Sequence, residues 1–280
     1  MTEGWYLVLM IWGEKYNDED CNKLIRQALA LSKNCKGAVV FTDRLDRRID
    51  PRAILVSIPD DFSDPSMKAG GLPVKLAMFE IDEINKGETC VYVDIDSIII
   101  GNLDPVSKLS RQAFLWTIPT FPRPFSRFSR FIWRVTNRSV YRYGNSSAFV
   151  YRNKYLNNPT CLFRRYFSAG ALPEKLMHDD LFIGWSSQDV VRGLPTSLVV
   201  NFRYEFLFPK LWIGYLMAKF RRKSRKSIAI VTFAGPLTKP DFILSLSEGA
   251  EIVDHHKRIG IWDNKYTSAV KQRLIESSKF

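Results

Sequence analysis

Two carboxylates interrupt an apolar stretch in the first third of the sequence. Asp94 and Asp96 are separated by one residue and lie between the apolar runs 90–93 and 98–100. A buried carboxylate is costly unless it is paired or bound to a metal. If a strand ends at Asp94, both side chains leave the core at one edge of a sheet. Their oxygens then suit Mg²⁺ or Mn²⁺, with positions left open for phosphate. The same three-residue pattern also occurs in solvated turns, so its surroundings must decide.

Length and composition bound the kind of protein that carries this pattern. The chain has 280 residues, 46% of them hydrophobic and 13% aromatic, which is enough for one large globular domain. Its four cysteines form no Cys-x-x-Cys pair, which argues against a zinc site or a disulfide scaffold. The first residues lack the features of a signal peptide, and no apolar run reaches the ~18 residues that span a bilayer. We therefore expect a cytoplasmic protein.

Apolar runs and helical periodicity alternate near the start and predict a doubly wound α/β sheet. The runs typical of strands buried on both faces occupy residues 5–12, 38–41 and 54–58. Ligands of such sheets bind at the carboxyl ends of the strands, which here means residues 12–16, Thr42 and Asp43. Aromatic packing is the alternative explanation for Trp12 and Tyr16. No Gly-x-Gly-x-x-Gly follows the first strand, which disfavours a dinucleotide site.

Further charged and polar residues lie where other elements are predicted to begin. Lys75 is near the start of a predicted helix, where it either reaches a phosphate or is a solvated charge. Asn145 begins a small polar segment that enters another strand. Asp179 and Asp180 directly precede an apolar run, so they either place a carboxylate in the cleft or cap a helix.

Basic residues concentrate in one segment. Residues 105–173 contain no Asp or Glu and twelve Lys or Arg, so the rest of the chain balances at 41 − 12 = 29 basic against 29 acidic residues. Between 121 and 143, arginines recur every three or four residues and predict a helix with a basic stripe. They are Arg123, Arg127, Arg130, Arg134, Arg138 and Arg142. A second basic block, at 219–226, follows the apolar run 211–218. Aromatic bulk beside such charge indicates an anionic membrane surface or another polyanion, with a solvated arginine face as the alternative.

Taken together, these stretches resemble the glycogenin-like and bacterial galactosyltransferase-like group of GT-A glycosyltransferases. Val93-Asp-Ile-Asp96, between its apolar runs, resembles the metal motif of that group. Residues 232–240 resemble its late loop, His-Phe-x-Gly-Pro-x-Lys-Pro. Less specific likenesses occur at residues 11–16, 72–75, 145–148 and 178–180, so the resemblance extends over most of the chain.

The resemblance implies a GT-A-type, doubly wound mixed sheet flanked by helices. It would form a single Rossmann-like domain over residues 1–250, with a basic helical insertion within about 105–173. We predict a peripheral helix over 251–280. The implied reaction moves a sugar, with retention, from a nucleotide diphosphate sugar to a glycan or glycolipid acceptor. The expected donor is a UDP-sugar and the expected cofactor is Mn²⁺ or Mg²⁺.

The resemblance, together with the strand ends and the basic segments described above, gives roles to individual residues. Asp94 and Asp96 would hold the metal. The donor would be bound by Trp12, Gly13, Tyr16, Thr42, Asp43, Lys75, Asp94, Gly235 and Lys239. The sugar and the incoming hydroxyl would be oriented by Asn145, Asp179 and Asp180. The basic segments 123–142 and 219–226 would dock the enzyme on the anionic inner face of a membrane or on an anionic acceptor.

The sequence departs from the group at Thr232, which stands where a histidine usually supplies a third metal ligand. His255 and His256 are the candidates to replace it, and one extra residue separates Gly235 from Lys239. Two alternatives therefore stay open. One is a GT-A relative that binds sugar nucleotide or glycan with weakened catalysis. The other is a basic protein that binds membranes or nucleic acid, although no nucleic-acid-binding motif is recognisable.

Overall fold

The computed structural model describes most of the chain. It covers residues 4–62, 73–119, 125–137, 139, 143–171, 176, 178–202 and 227–233, the backbone of 250–254 and 257–261, and single residues 245, 247, 272 and 275. The strands are β1 (Trp5–Ile11), β2 (Cys35–Thr42), β3 (Ala53–Ser57), β4 (Thr89–Val93), β5 (Ile98–Ile99), β6 (Leu115–Pro119), β7 (Gly144–Arg152), β8 (Val191–Gly193), β9 (Val199–Asn201), β10 (Ile230–Thr232), β11 (Glu251–Asp254) and β12 (Lys257–Ile261).

Five α-helices and three 3₁₀ segments are described. The helices are α1 (Asp18–Leu31), α2 (Asp104–Ser107), α3 (Arg127–Val135), α4 (Pro159–Ser168) and α5 (Asp179–Ser186). The 3₁₀ segments are Asp60–Phe62, Pro73–Phe79 and Lys108–Arg111. Helix α1 begins as its sequence predicts. Asn17 and Asp20 form a reciprocal capping box, each side chain accepting the other's backbone N–H at 3.0 Å.

A seven-stranded mixed sheet is the centre of the fold, in the order β3-β2-β1-β4-β7-β6-β8. Strands β3, β2, β1 and β4 are mutually parallel, β7 is antiparallel to both β4 and β6, and β8 is parallel to β6. This architecture confirms the predicted mixed α/β sheet. The strand order reverses at β1, because the chain continues outward to β2 and β3 before returning as β4 on the other side. A crevice opens at such a reversal, at the carboxyl ends of the strands.

The continuous apolar runs follow from burial on both faces of this sheet. In β1, Leu7, Leu9 and Ile11 pack into one core cluster, and Val8 and Met10 pack into the other. Because successive strand residues point to opposite faces, every side chain of a strand covered on both sides is buried, and apolar residues are favoured throughout. The apolar pattern stops only where the strands end, and this is where the polar residues of the crevice begin.

A smaller sheet has the order β5-β10-β9, with β10 antiparallel to β5 and parallel to β9. Its residues Ile99, Val199 and Ile230 extend one of the two core clusters. Thr232 ends β10 and is fully buried. The second sheet thus holds the segment that leads into residues 234–240, which lie outside the described residues.

Three sequence-based boundaries need correction. The helix predicted from residue 70 onward is a 3₁₀ segment, Pro73–Phe79. The basic helix predicted over 121–143 spans only Arg127–Val135, because Ser126 caps its start and Asn137 takes a positive φ of 46° just past its end. The helix predicted over 251–280 is wrong for residues 251–254 and 257–261, where β11 and β12 form an antiparallel pair whose β-branched residues favour strand.

None of the helices in the described part of the chain is long and apolar enough to cross a membrane.

Candidate active site

A cleft of about 280 Å³ lies at the carboxyl ends of β1 and β4. Its walls are formed by Met10, Trp12, Lys15, Tyr16, Lys75, Tyr92, Asp94, Ile95 and Asp96. One part is aromatic and apolar, and the charged groups of the lining are two carboxylates and two ammonium groups, those of Lys15 and Lys75. Ligand sites commonly combine an apolar wall with a few convergent polar groups.

The two carboxylates share a tight turn at the end of β4. The backbone N–H of Asp94 donates to the carbonyl oxygen of Ser147 in β7 (2.9 Å), and the N–H of Ser97 donates to the carbonyl oxygen of Asp94 (2.9 Å). This turn brings both side chains to the cleft. The Asp96 carboxylate accepts a hydrogen bond from the Tyr16 hydroxyl at 3.1 Å, and burial together with this carboxylate raises the pKa of Tyr16.

Lys75 connects the carboxylates of two different elements. Its Nζ lies 2.9 and 3.0 Å from the two carboxylate oxygens of Asp94, and 3.5 Å from Oδ2 of Asp179 in α5. Burial alone would lower the pKa of Lys75, but the negative charges of Asp94 and Asp179 outweigh burial and raise it. The ammonium group therefore stays charged inside a largely shielded site.

Asp179 and Asp180 occupy the first turn of α5, facing the amino end of β7. Ser146 Oγ donates to Oδ2 of Asp179 at 2.7 Å, and the backbone N–H of Asp180 donates to Oδ1 of Asp179 at 2.8 Å. Burial, reinforced by the charge of Asp179, raises the pKa of Asp180 to about 6. Oδ1 of Asp180 is buried and has no hydrogen-bond partner within the described part of the chain. Asp180 is thus a carboxyl group poised to exchange a proton close to neutral pH.

Thr42 and Asp43 support the cleft without lining it. Oδ2 of Asp43 accepts the backbone N–H of Gly13 at 2.9 Å. The guanidinium of Arg47, whose side chain is only 4% exposed, donates to the carbonyl oxygen of Gly13 (2.8 Å) and to Oγ1 of Thr42 (3.0 Å). Gly13 has a positive φ of 62°, a conformation that suits glycine. Together these contacts hold the loop that carries Trp12 and Tyr16.

The remaining predicted residues differ in how closely they approach the cleft. The Asn145 side chain accepts the backbone N–H of Ser147 at 3.0 Å, so it shapes the start of β7 beside Ser146. Gly235 and Lys239 lie outside the described residues. So do His255, His256 and the basic block 219–226, of whose side chains nothing is described.

Three contributing side chains were not singled out from sequence. The Tyr92 hydroxyl donates to Oδ1 of Asp94, and a signal for it existed, because residues two apart on a strand share a face. Ser146 also lies 3.5 Å from Lys75 Nζ, but this follows only from the antiparallel pairing of β4 with β7. Arg47 lies in an irregular turn with no local pattern to distinguish it.

The donor set fits a divalent cation in part. Asp94 and Asp96 offer carboxylate oxygens at one cleft, which is the ligand type that Mg²⁺ and Mn²⁺ prefer. No cluster of three Asp, Glu, His or Cys suited to a metal occurs among the described residues. Thr232 is fully buried, and its hydroxyl lies 3.5 Å from the carbonyl oxygen of Val200. The two aspartates are therefore the protein ligands available in the described part of the cleft.

Comparison with known proteins places this geometry in a known fold. No protein-family model matches the chain, and no curated protein sequence matches it. Among solved structures, it is similar to the bifunctional glycosyltransferase WbbM, with a TM-score of 0.56 and 12% identity over 99% of this chain and 50% of that one. The chain thus spans about half the length of WbbM.

Two structures of LgtC match over nearly their whole length. An active-site mutant of LgtC gives a TM-score of 0.54 at 12% identity, covering 98% of this chain and 95% of that one. The galactosyltransferase LgtC in complex with donor and acceptor sugar analogues gives 0.51 at 13% identity, with the same coverage. At these identities the likeness establishes the architecture alone. The chain has the GT-A glycosyltransferase fold, as its sequence predicts.

Proposed function

We propose that this protein is a metal-dependent glycosyltransferase. It moves a sugar, with retention, from a nucleotide diphosphate sugar to a hydroxyl group of a glycan or glycolipid, and the proposed donor is a UDP-sugar. One observation carries the proposal: four charged side chains from three elements converge at the strand reversal of a GT-A fold. They are Lys75, Asp94, Asp96 and Asp179.

The cleft provides complementary ends for such a donor. Trp12 and Tyr16 offer flat aromatic surface for a nucleoside, on a loop held by Asp43 and Arg47. Lys75 offers a permanent positive charge for the diphosphate. Gly235 and Lys239 remain proposed donor contacts on the strength of the sequence resemblance.

Asp94 and Asp96 would hold Mn²⁺ or Mg²⁺, which when bound supplies a Lewis acid that neutralises charge on the departing nucleoside diphosphate. The positive charge of Lys75 would also help to neutralise the departing nucleoside diphosphate. The Lys75 ammonium group is held beside Asp94 and Asp179, close to where negative charge would develop on the departing diphosphate. Tyr16 holds Asp96 in place through its hydroxyl.

Asp179, Asp180 and Asn145 form the side of the site that we assign to the sugar and the acceptor. Ser146 orients Asp179, and Asp179 raises the proton affinity of Asp180. With a pKa raised to about 6, Asp180 is ionised at neutral pH and can still accept a proton from an acceptor hydroxyl. Its Oδ1 is buried and has no hydrogen-bond partner within the described part of the chain, so an acceptor hydroxyl could take that place only if the sugar side of the site opens.

A second candidate is a GT-A relative that binds sugar nucleotide without turnover. Two observations favour it. Lys75 already contacts both carboxylate oxygens of Asp94, and Thr232 lies buried at the position of the resembled group's histidine. A metal ion must compete with Lys75 for Asp94, which would lower its affinity.

The first test is thermal unfolding with UDP-, GDP- and CDP-sugars, each with and without Mn²⁺, for the wild type and Asp96→Asn. A ligand that binds only the folded state at 100 times its Kd stabilises the protein by about 2.7 kcal/mol. We expect a Mn²⁺-dependent rise in Tm with a UDP-sugar that Asp96→Asn abolishes. Asp82→Asn is the matched control, since the Asp82 side chain is 89% exposed.

The two candidates differ in turnover. With the donor so identified, release of nucleoside diphosphate in the presence of glycan or glycolipid acceptors reports transfer, and NMR of the product reports its anomeric configuration. Donor binding without release would select the non-catalytic relative. No shift with any nucleotide sugar would remove both candidates.

A further inference from the structure

Helix α3 exposes an apolar stripe to solvent. Phe128, Phe131 and Val135 are 72%, 59% and 60% exposed, and their spacing of three and four residues places them on one side of the helix. Trp133 is buried on the opposite side. Large apolar side chains scattered singly over a surface need no explanation, but three aligned along one helix form a contiguous surface that suits an apolar environment.

The helix is fastened so that this stripe faces outward. Arg130 donates from Nε to the carbonyl oxygen of Gln188 (3.1 Å) and from a terminal nitrogen to that of Val191 (2.8 Å). Arg134 forms an ion pair with Asp189. These anchors and Trp133 lie on the side that meets the segment between α5 and β8, so the exposed stripe cannot turn inward without breaking them.

Positive charge surrounds the stripe. Arg127 is exposed one residue before Phe128. Burial and the nearby charge of Arg192 lower the pKa of Arg130, which means that these guanidinium groups lie close enough to repel. Arg130, Arg134 and Arg192 are thus close neighbours, and Asp189 is the acidic partner of Arg134. The sequence from 105 to 173, which contains α3, has no Asp or Glu.

We propose that α3 docks the protein on an anionic lipid bilayer, with Phe128, Phe131 and Val135 entering the headgroup boundary and Arg127 contacting lipid phosphates. An amphipathic basic helix with phenylalanines on its free face has the properties of an interfacial helix. Juxtaposed arginines add attraction to a negatively charged leaflet. An apolar protein partner explains the stripe but not the surrounding arginines.

The position of α3 relates this surface to the cleft. The segment that carries it leaves β6 at Pro119 and re-enters β7 at Gly144, and these two residues pair in the sheet. The next residues, Asn145 and Ser146, belong to the candidate active site. The segment that carries α3 therefore leaves and re-enters the sheet at the edge that holds the candidate active site. The docking itself does not depend on the proposed transferase activity.

Vesicle flotation of the full-length chain tests the proposal. The probes are vesicles of phosphatidylcholine alone and vesicles with about one-third phosphatidylglycerol. We expect binding to the anionic vesicles only, weakened by about tenfold or more in the double variant Phe128→Ser, Phe131→Ser. The matched control is Leu156→Ser, which removes a side chain that is 85% exposed in another part of the surface.

A charge variant separates attraction from apolar insertion. Arg127→Glu is expected to weaken binding about tenfold at low salt, and exposed Lys86→Glu to have a much smaller effect. The proposal is overturned by a wild type that ignores anionic vesicles or by a double variant that binds them as the wild type does. It is also overturned if the double variant loses self-association, seen by light scattering, but not lipid binding, because the stripe then contacts a second copy.

Discussion

Asp94 and Asp104 are ten residues apart and have opposite kinds of surroundings. Asp104 is 6% exposed and accepts three hydrogen bonds from N–H groups, those of the Trp5 indole (2.9 Å) and of the Lys33 and Asn34 backbone (both 3.2 Å). Asp94 is also shielded, but its partners are the Lys75 ammonium and the Tyr92 hydroxyl at the wall of a cleft.

The difference separates a carboxylate whose partners are part of the core from one whose partner can be exchanged. The donors around Asp104 belong to the backbone and to a buried ring, so none of them can leave without disturbing the core. The cation beside Asp94 is the end of a flexible side chain, which can move toward a phosphate or make room for a metal. A buried carboxylate indicates function when its partners are able to exchange.

Asp94→Asn tests the carboxylate at the cleft and has the largest expected effect. Loss of the negative charge removes a metal ligand and the main partner of Lys75, so we expect transfer to slow by about 10²- to 10³-fold. The measurement is the initial rate with the donor found by thermal shift. An unchanged rate at saturating Mn²⁺ would show that Asp94 is not part of the reaction site.

Asp104→Ala tests the carboxylate in the core. The buried Trp5 indole and two partly buried backbone N–H groups lose their acceptor, so the free energy of unfolding should fall by about 3 kcal/mol. Donor affinity should stay within about twofold of the wild type. Urea unfolding and a donor titration measure the two quantities. Asp104→Asn keeps one acceptor oxygen and should lose less stability than Asp104→Ala. A loss of donor affinity with unchanged stability would contradict the structural role of Asp104.

The sequence predicted the parts of the site that depend on local pattern. The end of β4 at Val93, the paired aspartates and the loop after β1 are all visible as apolar runs that stop at polar residues. Tyr92 could also have been found in this way, because side chains two residues apart on a strand point to the same face and Tyr92 therefore shares a face with Asp94. In each of these cases the chemistry and the strand that positions it lie within a few residues of one another.

Long-range contacts were beyond the reach of such patterns. Thr42 and Asp43, which are predicted to touch the donor, hold the Gly13 loop together with Arg47, and no local pattern in the sequence indicated this supporting role. Arg130 was expected on a basic stripe that contacts a membrane or another polyanion, but it is turned toward two backbone carbonyl oxygens some sixty residues away in sequence. Propensity does not reveal whether an arginine finds carbonyl acceptors, because the acceptors are set by the tertiary fold.

Arg47→Met removes a buried cation that holds the loop beside the cleft, so it tests a structural contact next to the candidate site. Gly13, Thr42 and Asp43 lose a shared donor, and we expect a loss of about 2 kcal/mol in the free energy of unfolding, with a weaker donor affinity. Arg44→Met is the matched control, since exposed Arg44 reaches the same Gly13 carbonyl only at 3.3 Å. Equal effects of the two variants would argue against a special role for Arg47.

The smallest predicted effect concerns the pH dependence of stability. Asp180 has its pKa raised from 3.8 to about 6 by burial and by Asp179. Between these values the folded state binds more protons than the unfolded state, so this group's contribution to stability is lost as pH rises from about 4 to about 6. Asp180→Asn should therefore gain, relative to the wild type, on the order of 2 kcal/mol between pH 4 and pH 7 in urea unfolding.

Asp50 supplies the control of opposite sign. A hydrogen bond from Arg52 lowers the pKa of Asp50 to about 2, so its contribution to stability is already complete above the ordinary pKa and declines only below it. Asp50→Asn should lower stability nearly equally at pH 5 and at pH 7. If Asp180→Asn also shifts stability equally at both pH values, Asp180 is ionised throughout this range. Asp180 would then exchange no proton near neutral pH, and its assignment to the acceptor side would fail.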